Sequence, residues 1–251
     1  MFDVAADAYD RFMGRYSSLL ALQMADLAGV AAGQRAVDVG CGPGALTSEL
    51  VRRLGPDNVA AVDPSASFVE AARQRHPGVD VREATAEALP FPDGAFDVAL
   101  AQLVVHFMSD PVGGLRQMRR VTASGGVVAA CVWDHAGAKG PLGLFWEVAR
   151  ALDPTAVDES NLAGAREGHL AELFEAAGLR DVHSSIVVAH VEHPSFDAWW
   201  EPFTRGVGPA GAYVARLDDA AKDRLRAACR ARLPAGQFGI DALAWAARGL
   251  A

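Results

Sequence analysis

Val37-Asp38-Val39-Gly40-Cys41-Gly42-Pro43-Gly44-Ala45-Leu46-Thr47 reads as a buried strand, a glycine-rich turn and the opening of a helix. Val37 and Val39 are β-branched and suit a strand. Gly40, Gly42 and Gly44 permit tight turning and close backbone approach, because no Cβ stands between main chain and ligand. The helix that follows aims its unpaired N–H groups and positive dipole end at whatever rests on the turn. A carboxylate or phosphate suits that place. The stretch marks a cofactor site.

Outward from it, strand and helix alternate. Strands read at 36–40, 58–62, 79–84, 96–102 and 126–132, and helices at 44–54, 65–75, 111–121 and 143–152. Alternation of this kind predicts an α/β fold, a parallel sheet with helices on both faces. Val59-Ala60-Ala61-Val62 and Val98-Ala99-Leu100-Ala101 are apolar on both sides, as strands covered twice must be. Ser124-Gly125-Gly126 reads as a turn into the fifth strand. The second half is less regular, with a helix at 168–177, a strand at 181–191, an arginine-rich helix at 218–233 and a last strand at 238–245. There is no internal repeat and no clean linker. One domain over 1–251 is expected, with an N-terminal lid helix within 1–30 and cap insertions at 134–165 and 193–235.

Composition narrows the function classes. The chain has 251 residues, 51% of them hydrophobic, enough to bury a sizeable core. No apolar run reaches membrane-spanning length, and the first residues lack the pattern of a secretory signal. Cys41, Cys131 and Cys229 are odd in number and widely separated. They predict no disulfide framework and no metal site, and fit a reducing cytoplasm. A formal charge of −8 leaves no electrostatic footprint for nucleic acid or an anionic membrane.

The glycine turn satisfies two templates. Gly40-x-Gly42-x-x-Ala45 fits the dinucleotide fingerprint, which is weak alone. Asp38-x-Gly40-x-Gly42-x-Gly44 adds an acidic residue on the strand, in a place where a buried charge needs a partner. An ammonium-bearing ligand rewards that carboxylate; otherwise Asp38 serves to cap the next helix. Asp63 ends the second strand, where a carboxylate can accept from ribose hydroxyls in either template. Pro64 follows, offering a flat apolar face or simply the first helical position.

The run Glu83-Ala84-Thr85-Ala86-Glu87-Ala88-Leu89-Pro90-Phe91-Pro92-Asp93-Gly94-Ala95-Phe96-Asp97 separates the templates. It resembles the adenine-pocket and fourth-strand region of the type 11 small-molecule methyltransferases, class I enzymes that use S-adenosylmethionine. Their pattern is G-D-A-E-x-L-P-F-x-D-x-x-F-D. Ala86, Glu87, Leu89, Pro90, Phe91, Asp93, Phe96 and Asp97 match it, whereas Ala84 and Thr85 depart. Thr85 stands for the aspartate that accepts the adenine amino hydrogen, and a neutral acceptor is about half as strong. The resemblance covers residues 36–132, and Tyr9-Asp10-Arg11-Phe12-Met13-Gly14-Arg15-Tyr16 is similar to the lid helix of some members.

The resemblance implies a Rossmann-like, doubly wound, mostly parallel sheet with helical cap elements, and S-adenosylmethionine as cofactor. It implies that Asp38 with Gly40, Cys41, Gly42 and Gly44 holds the methionine end and Asp63 the ribose. Pro64, Thr85, Ala86 and Glu87 would frame the adenine, Gln102 would help fix the donor, and Tyr9 and Tyr16 would close over it. His106 follows the fourth strand on the acceptor side; it is either a general base, with an ordinary pKa near 6.5, or a residue that shapes the pocket. Tyr16, His106, Trp133, Trp146, Trp199, Trp200 and Tyr213 are the expected acceptor wall, or else core aromatics. The N-P-P-Y-like element with which nucleic-acid N-methyltransferases clamp a flipped base is absent. A small organic acceptor is therefore expected, methylated on oxygen, nitrogen or carbon. An NAD(P)-dependent oxidoreductase and a non-catalytic S-adenosylmethionine-binding protein remain alternatives, and the oligomeric state is open.

Overall fold

In the computed structural model, which describes residues 10–251, the strands are β1 (Ala36–Val39), β2 (Val59–Asp63), β3 (Asp80–Glu83), β4 (Phe96–Gln102), β5 (Thr122–Trp133), β6 (Arg180–His193) and β7 (Phe238–Leu250). They form one sheet in the order β3-β2-β1-β4-β5-β7-β6. Strands β1 to β5 run parallel, and β7 lies antiparallel between β5 and β6. The expected Rossmann-like, doubly wound and mostly parallel α/β sheet is what the chain adopts.

The helices are α1 (Arg15–Leu27), α2 (Ala45–Leu54), α3 (Ala66–Arg75), α4 (Pro111–Val121), α5 (Gly143–Leu152), α6 (His169–Ala176), α7 (Phe196–Trp200), α8 (Gly208–Arg216) and α9 (Asp219–Ala231). Tyr16, Leu20 and Met24 recur every fourth residue in α1, as do Leu46, Leu50 and Leu54 in α2, and both stripes are buried on one face of the sheet. Leu115 and Met118 of α4 and Phe174 of α6 cover the other face. Side chains alternate across β4 accordingly. Val98 and Leu100 join the first core, Ala99 and Ala101 the second. Asp110 caps α4 by accepting from the Gly113 amide, with Pro111 in the first turn, where its missing N–H costs nothing.

Some boundaries differ from expectation. Ser124-Gly125-Gly126 is not a turn before β5 but lies inside it, where the register on β4 jumps between Phe96 and Val98 and Gly125 takes φ +80. That is bulge geometry. The last strand runs past 245 to Leu250, paired on both sides. Gly14, in right-handed helical conformation, ends a π-helical turn, Asp10–Gly14, that runs directly into α1. Tyr9 lies outside the described residues. Pro64 does not open α3, whose cap position is Ser65.

A third core gathers the helices of the second half and reaches the sheet at Phe238 of β7. Phe145 and Trp146 of α5 pack with Trp199, Trp200 and Phe203 and with Tyr213 of α8. Phe145 and Phe203 stack at 4.5 Å between centroids. Among the described residues no helix is long and apolar enough to cross a membrane.

Candidate active site

Strand order reverses between β1 and β4, and in open α/β sheets ligands bind outside the carboxyl ends of the strands at such a point. A cleft of about 490 Å³ lies there. Its walls come from Asp38 to Pro43 after β1, Asp63 to Phe68 after β2, and Gln102 to Val104 after β4, with Ser17 of α1 and Phe107 closing it.

The glycine turn brings these elements together by close approach. Gly40 sits at φ +72, and a Cβ there would stand 2.5 Å from both Val104 methyl carbons. At Gly44, φ +97, a Cβ would meet the His76 ring at 2.6 Å. His76 Nε2 lies 3.1 Å from the Gly44 carbonyl oxygen, and Arg75 donates to the Pro43 carbonyl at 2.9 Å, so the end of α3 braces the loop. Gly42, φ +54, has open space where its Cβ would stand, and it lines the cleft.

The expected amide cradle is corrected in one respect. The Gly40 N–H donates to the Val62 carbonyl at 2.8 Å and the Gly42 N–H to Asp63 Oδ2 at 2.9 Å. Neither amide is spare. Ala45 and Leu46, whose first-turn amides have no intrahelical acceptor, line the cleft.

Two carboxylates face this space. Asp38 is only 1% exposed, and Thr47 Oγ1 donates to its Oδ2 at 2.7 Å. Burial pushes its carboxyl up to about 7, against the Thr47 bond, with the Asp63 charge adding to the rise. Asp38 thus does touch α2, but the hydroxyl and the amide of Thr47 are neutral donors and leave its charge without a cationic partner. Asp63 accepts from the Ser65 amide on Oδ1 and the Gly42 amide on Oδ2, both at 2.9 Å. Burial raises its pKa while those two bonds oppose the rise. Each oxygen keeps a lone pair for a hydroxyl donor. Gln102 donates through Nε2 to the Ser17 carbonyl at 2.9 Å, tying α1 to the end of β4. Its Oε1 is buried with no partner. A ligand carrying an ammonium and a ribose diol fits this donor and acceptor set.

Cys41 lines the cleft, its thiol pushed well up by burial and by the neighbouring charges of Asp38 and Asp63, so it stays a neutral wall. The adenine frame differs from expectation. Pro64 is on the wall, but Thr85, Ala86 and Glu87 are not. Glu87 accepts from the Ser109 amide and hydroxyl and the Asp110 amide on one oxygen, so its carboxylate holds the loop before α4. Ala86 is buried against Gly114 of α4, and Thr85 is exposed. Phe68 and the Ser65 to Ser67 backbone line the cleft instead. They carried no sequence signal beyond following Asp63.

Leu103 was also missed. It is a non-glycine residue at φ +63, a conformation that costs about 1–3 kcal/mol and gathers at functional sites. This twist ends β4 and turns the chain so that Val104 packs on Gly40 while His106 points away from the cleft. Leu103 and Phe107 are shared by the cleft and a second, smaller cavity of about 40 Å³. Phe12, Met13, Trp133 and Leu142 supply its apolar wall; His106, His135 and Glu159 supply its polar one.

His106 is buried, and desolvation with the nearby His135 holds it well below the usual histidine range. It is a neutral imidazole at physiological pH and a weak base, which disfavours the general-base role. Burial likewise lowers His135 to about 4 and raises Glu159 to about 7. Of the expected acceptor aromatics, Trp133 lines this cavity. Trp146, Trp200 and Tyr213 do not; they pack into the third core, because large aromatic area is buried wherever helices offer it. Trp199 and Tyr16 border only a crevice of about 10 Å³. Tyr16 reaches neither cavity, its hydroxyl lying 2.9 Å from His193 Nε2 and its ring edge-on to Trp133.

Residues 37–130 match the model of a family described as a methyltransferase domain. The chain is 35% identical over 151 residues to 2-methyl-6-phytyl-1,4-hydroquinone methyltransferase 2 of Oryza sativa subsp. japonica. Over that part of its length the chain is similar to class I S-adenosylmethionine-dependent methyltransferases. Demethylmenaquinone methyltransferase of Renibacterium salmoninarum is 33% identical over 140 residues. These alignments take 59% and 54% of this chain and 39% and 58% of the relatives, so the chain spans about half the length of the curated relatives it matches. Geranyl diphosphate C-methyltransferase from Streptomyces coelicolor A3(2) shares the fold at 17% identity, with a TM-score of 0.56 over 95% of this chain and 80% of that one.

Proposed function

We propose that the protein moves the sulfonium methyl of S-adenosylmethionine to a small organic acceptor, as a member of the type 11 small-molecule group. The observation that carries this reading is Asp38: a buried carboxylate at the end of β1, facing a cleft that also presents Asp63 and the unpartnered Gln102 oxygen. A nicotinamide cofactor has no ammonium to answer Asp38. Relatives named for methylating a hydroquinone and a demethylmenaquinone support a small acceptor.

Bound in the cleft, S-adenosylmethionine would supply a methyl group already activated by positive sulfur. The chain's residues then hold and align. Asp38 pairs with the ammonium, the amides of Ala45 and Leu46 receive the carboxylate, and Asp63 accepts from the ribose hydroxyls. Leu103 and Phe107 stand between this cleft and the smaller cavity, the side from which an acceptor meets the methyl. Alignment of acceptor, methyl carbon and sulfur can supply about 7–11 kcal/mol of barrier reduction. The aromatic walls of Phe12, Phe107 and Trp133 exclude water there, and the cap of α5 and α7 to α9 backs them. The three buried free thiols support a reducing compartment such as the cytoplasm.

Calorimetry with S-adenosylmethionine, S-adenosylhomocysteine and NAD tests the reading. Binding of both adenosyl ligands and none of NAD is expected; binding of NAD alone would overturn it. Release of the methyl to no acceptor in a broad panel of phenols, amines and carbon acids would favour the non-catalytic alternative.

A further inference from the structure

The smaller cavity brings together three groups from separate segments: His106 after β4, His135 after β5 and Glu159 beyond α5. One donor atom of each lies within 4.8 Å of the others. Two of these side chains carry buried nitrogens with no partner among the described residues, His106 Nδ1 and His135 Nε2. The His135 nitrogen is 4.0 Å from Glu159 Oε1, too far for a hydrogen bond. Trp146 Nε1 donates to the other Glu159 oxygen at 2.8 Å, which orients the carboxylate and leaves Oε1 facing the histidines. The two imidazole rings are 5.5 Å apart and inclined at 60°, so they converge without stacking.

Such an arrangement needs a third party. A buried nitrogen without a partner is unfavourable, and among the described residues no cation stands against the Glu159 carboxylate except His135 itself, which burial keeps neutral. Asp158, the acidic neighbour, is already paired with Arg150. The rest of the lining is apolar, so the polar trio is not part of a wider hydrogen-bonded network.

We propose that His106, His135 and Glu159 form a binding site for one divalent transition-metal ion of the zinc, iron or cobalt type. Two neutral imidazoles and one carboxylate are a donor set such ions take, at about 2.0–2.2 Å per ligand. Small side-chain rotations bring donors within 4.8 Å to that range. The space of about 40 Å³ suits an ion and one further ligand. The Trp146 bond is the outer-shell contact that a metal-bound carboxylate needs for its orientation. Three protein ligands leave one position of a tetrahedron open, the pattern of reactive rather than purely structural sites. That position lies beside Leu103 and Phe107, on the border with the donor cleft. Cysteine spacing could not have announced it, because no cysteine takes part.

The rival occupant is a single water bridging the three groups. Chelator-treated full-length protein titrated with Co²⁺ alone distinguishes them, in the absence of any methyl donor or acceptor. One equivalent of uptake with visible ligand-field bands is expected, displaced by one equivalent of Zn²⁺ in calorimetry. X-ray absorption at the cobalt edge of the wild-type protein should show imidazole scattering and no sulfur. Glu159→Gln keeps an oxygen acceptor for Trp146, and His135→Gln removes a second ligand. Each should weaken uptake at least about 100-fold, beyond the 10–100-fold typical of losing an outer-shell partner. His190→Ala is the control, since exposed His190 lies 2.6 Å from Asp241 and 2.8 Å from Glu192 and could collect metal at the surface. Uptake must survive that change. No stoichiometric uptake by wild type, sulfur ligation, or uptake that persists in Glu159→Gln and His135→Gln would overturn the proposal. Because the readout is metal binding, its failure leaves the methyltransferase reading intact, and failure to bind S-adenosylmethionine leaves the metal result standing.

Discussion

The donor cleft and the small cavity beside it are built on opposite principles. Around the cleft, polar groups at the ends of neighbouring strands are matched to one another: Thr47 to Asp38, Gly42 to Asp63, and Ser65 to Asp63, with the Gln102 oxygen left over. They come from the few residues that follow β1 and β2, so the loops themselves carry the chemistry. Around the small cavity, His106, His135 and Glu159 arrive from three segments and leave two nitrogens unmatched. Behind it, Phe145, Phe203 and the tryptophans are packed as densely as any core. A site made by the loops at neighbouring strand ends is preorganised by the sheet. A site made by side chains from distant segments depends on the cap being folded.

That division can be broken most forcefully from the cap. Phe203, 1% exposed and stacked on Phe145, should cost about 3–5 kcal/mol of stability when changed to Ala. Urea denaturation measures this, and S-adenosylmethionine affinity of the folded protein should stay unchanged. A parallel loss of affinity would mean that cap and cleft are one unit.

Asp38→Asn keeps an acceptor for Thr47 but removes the charge, and should weaken S-adenosylmethionine binding by about 2–5 kcal/mol, the range for breaking a desolvated charge pair. Stability without ligand should not fall, because a buried carboxylate without a cation is unfavourable. Asp63→Ala should cost less, about 1.5–3 kcal/mol of affinity, the scale of hydrogen bonds to a charged group. Unchanged calorimetric affinity in either variant would remove that residue from the site.

The smallest effect is on pH. The Asp38 carboxyl titrates at about 7 in the folded protein against an ordinary 3.8. Its contribution to the stability of the ligand-free protein is therefore full below about pH 4 and is lost as pH rises to about 7. Ligand binding runs the other way, since the ammonium needs the carboxylate. Affinity should be full above about pH 7 and fall by up to tenfold, about 1.4 kcal/mol, for each unit below. Calorimetry in two buffers of different ionisation enthalpy should show proton release on binding near pH 6.5. Affinity independent of pH between 5 and 8 would show that Asp38 does not meet the ammonium.

The cleft was legible because its residues sit beside the pattern that announces them. Asp38, Gly40, Cys41, Gly42, Asp63, Pro64 and Gln102 are all on its wall, each within a few residues of a strand end that hydrophobic periodicity locates. For Glu87 a motif position does not say which neighbour takes the carboxylate, and in the fold Ser109 and Asp110 take it. Leu103 was invisible since nothing in a leucine marks a left-handed backbone. Trp146, Trp200 and Tyr213 were ambiguous because an aromatic on a cap helix looks the same whether it faces a ligand or another aromatic.

By itself the sequence determined the alternation of strands and helices, the parallel core and the glycine turn at the cleft. Those depend on period, β-branching and glycine, all local properties of the chain. Only the tertiary structure decided the bulge in β5, the antiparallel placement of β7 and the partners of the polar side chains. It also decided the convergence of His106, His135 and Glu159. Convergence of that kind is a property of how three segments pack, and a buried histidine without a partner can be recognised only when everything around it is known.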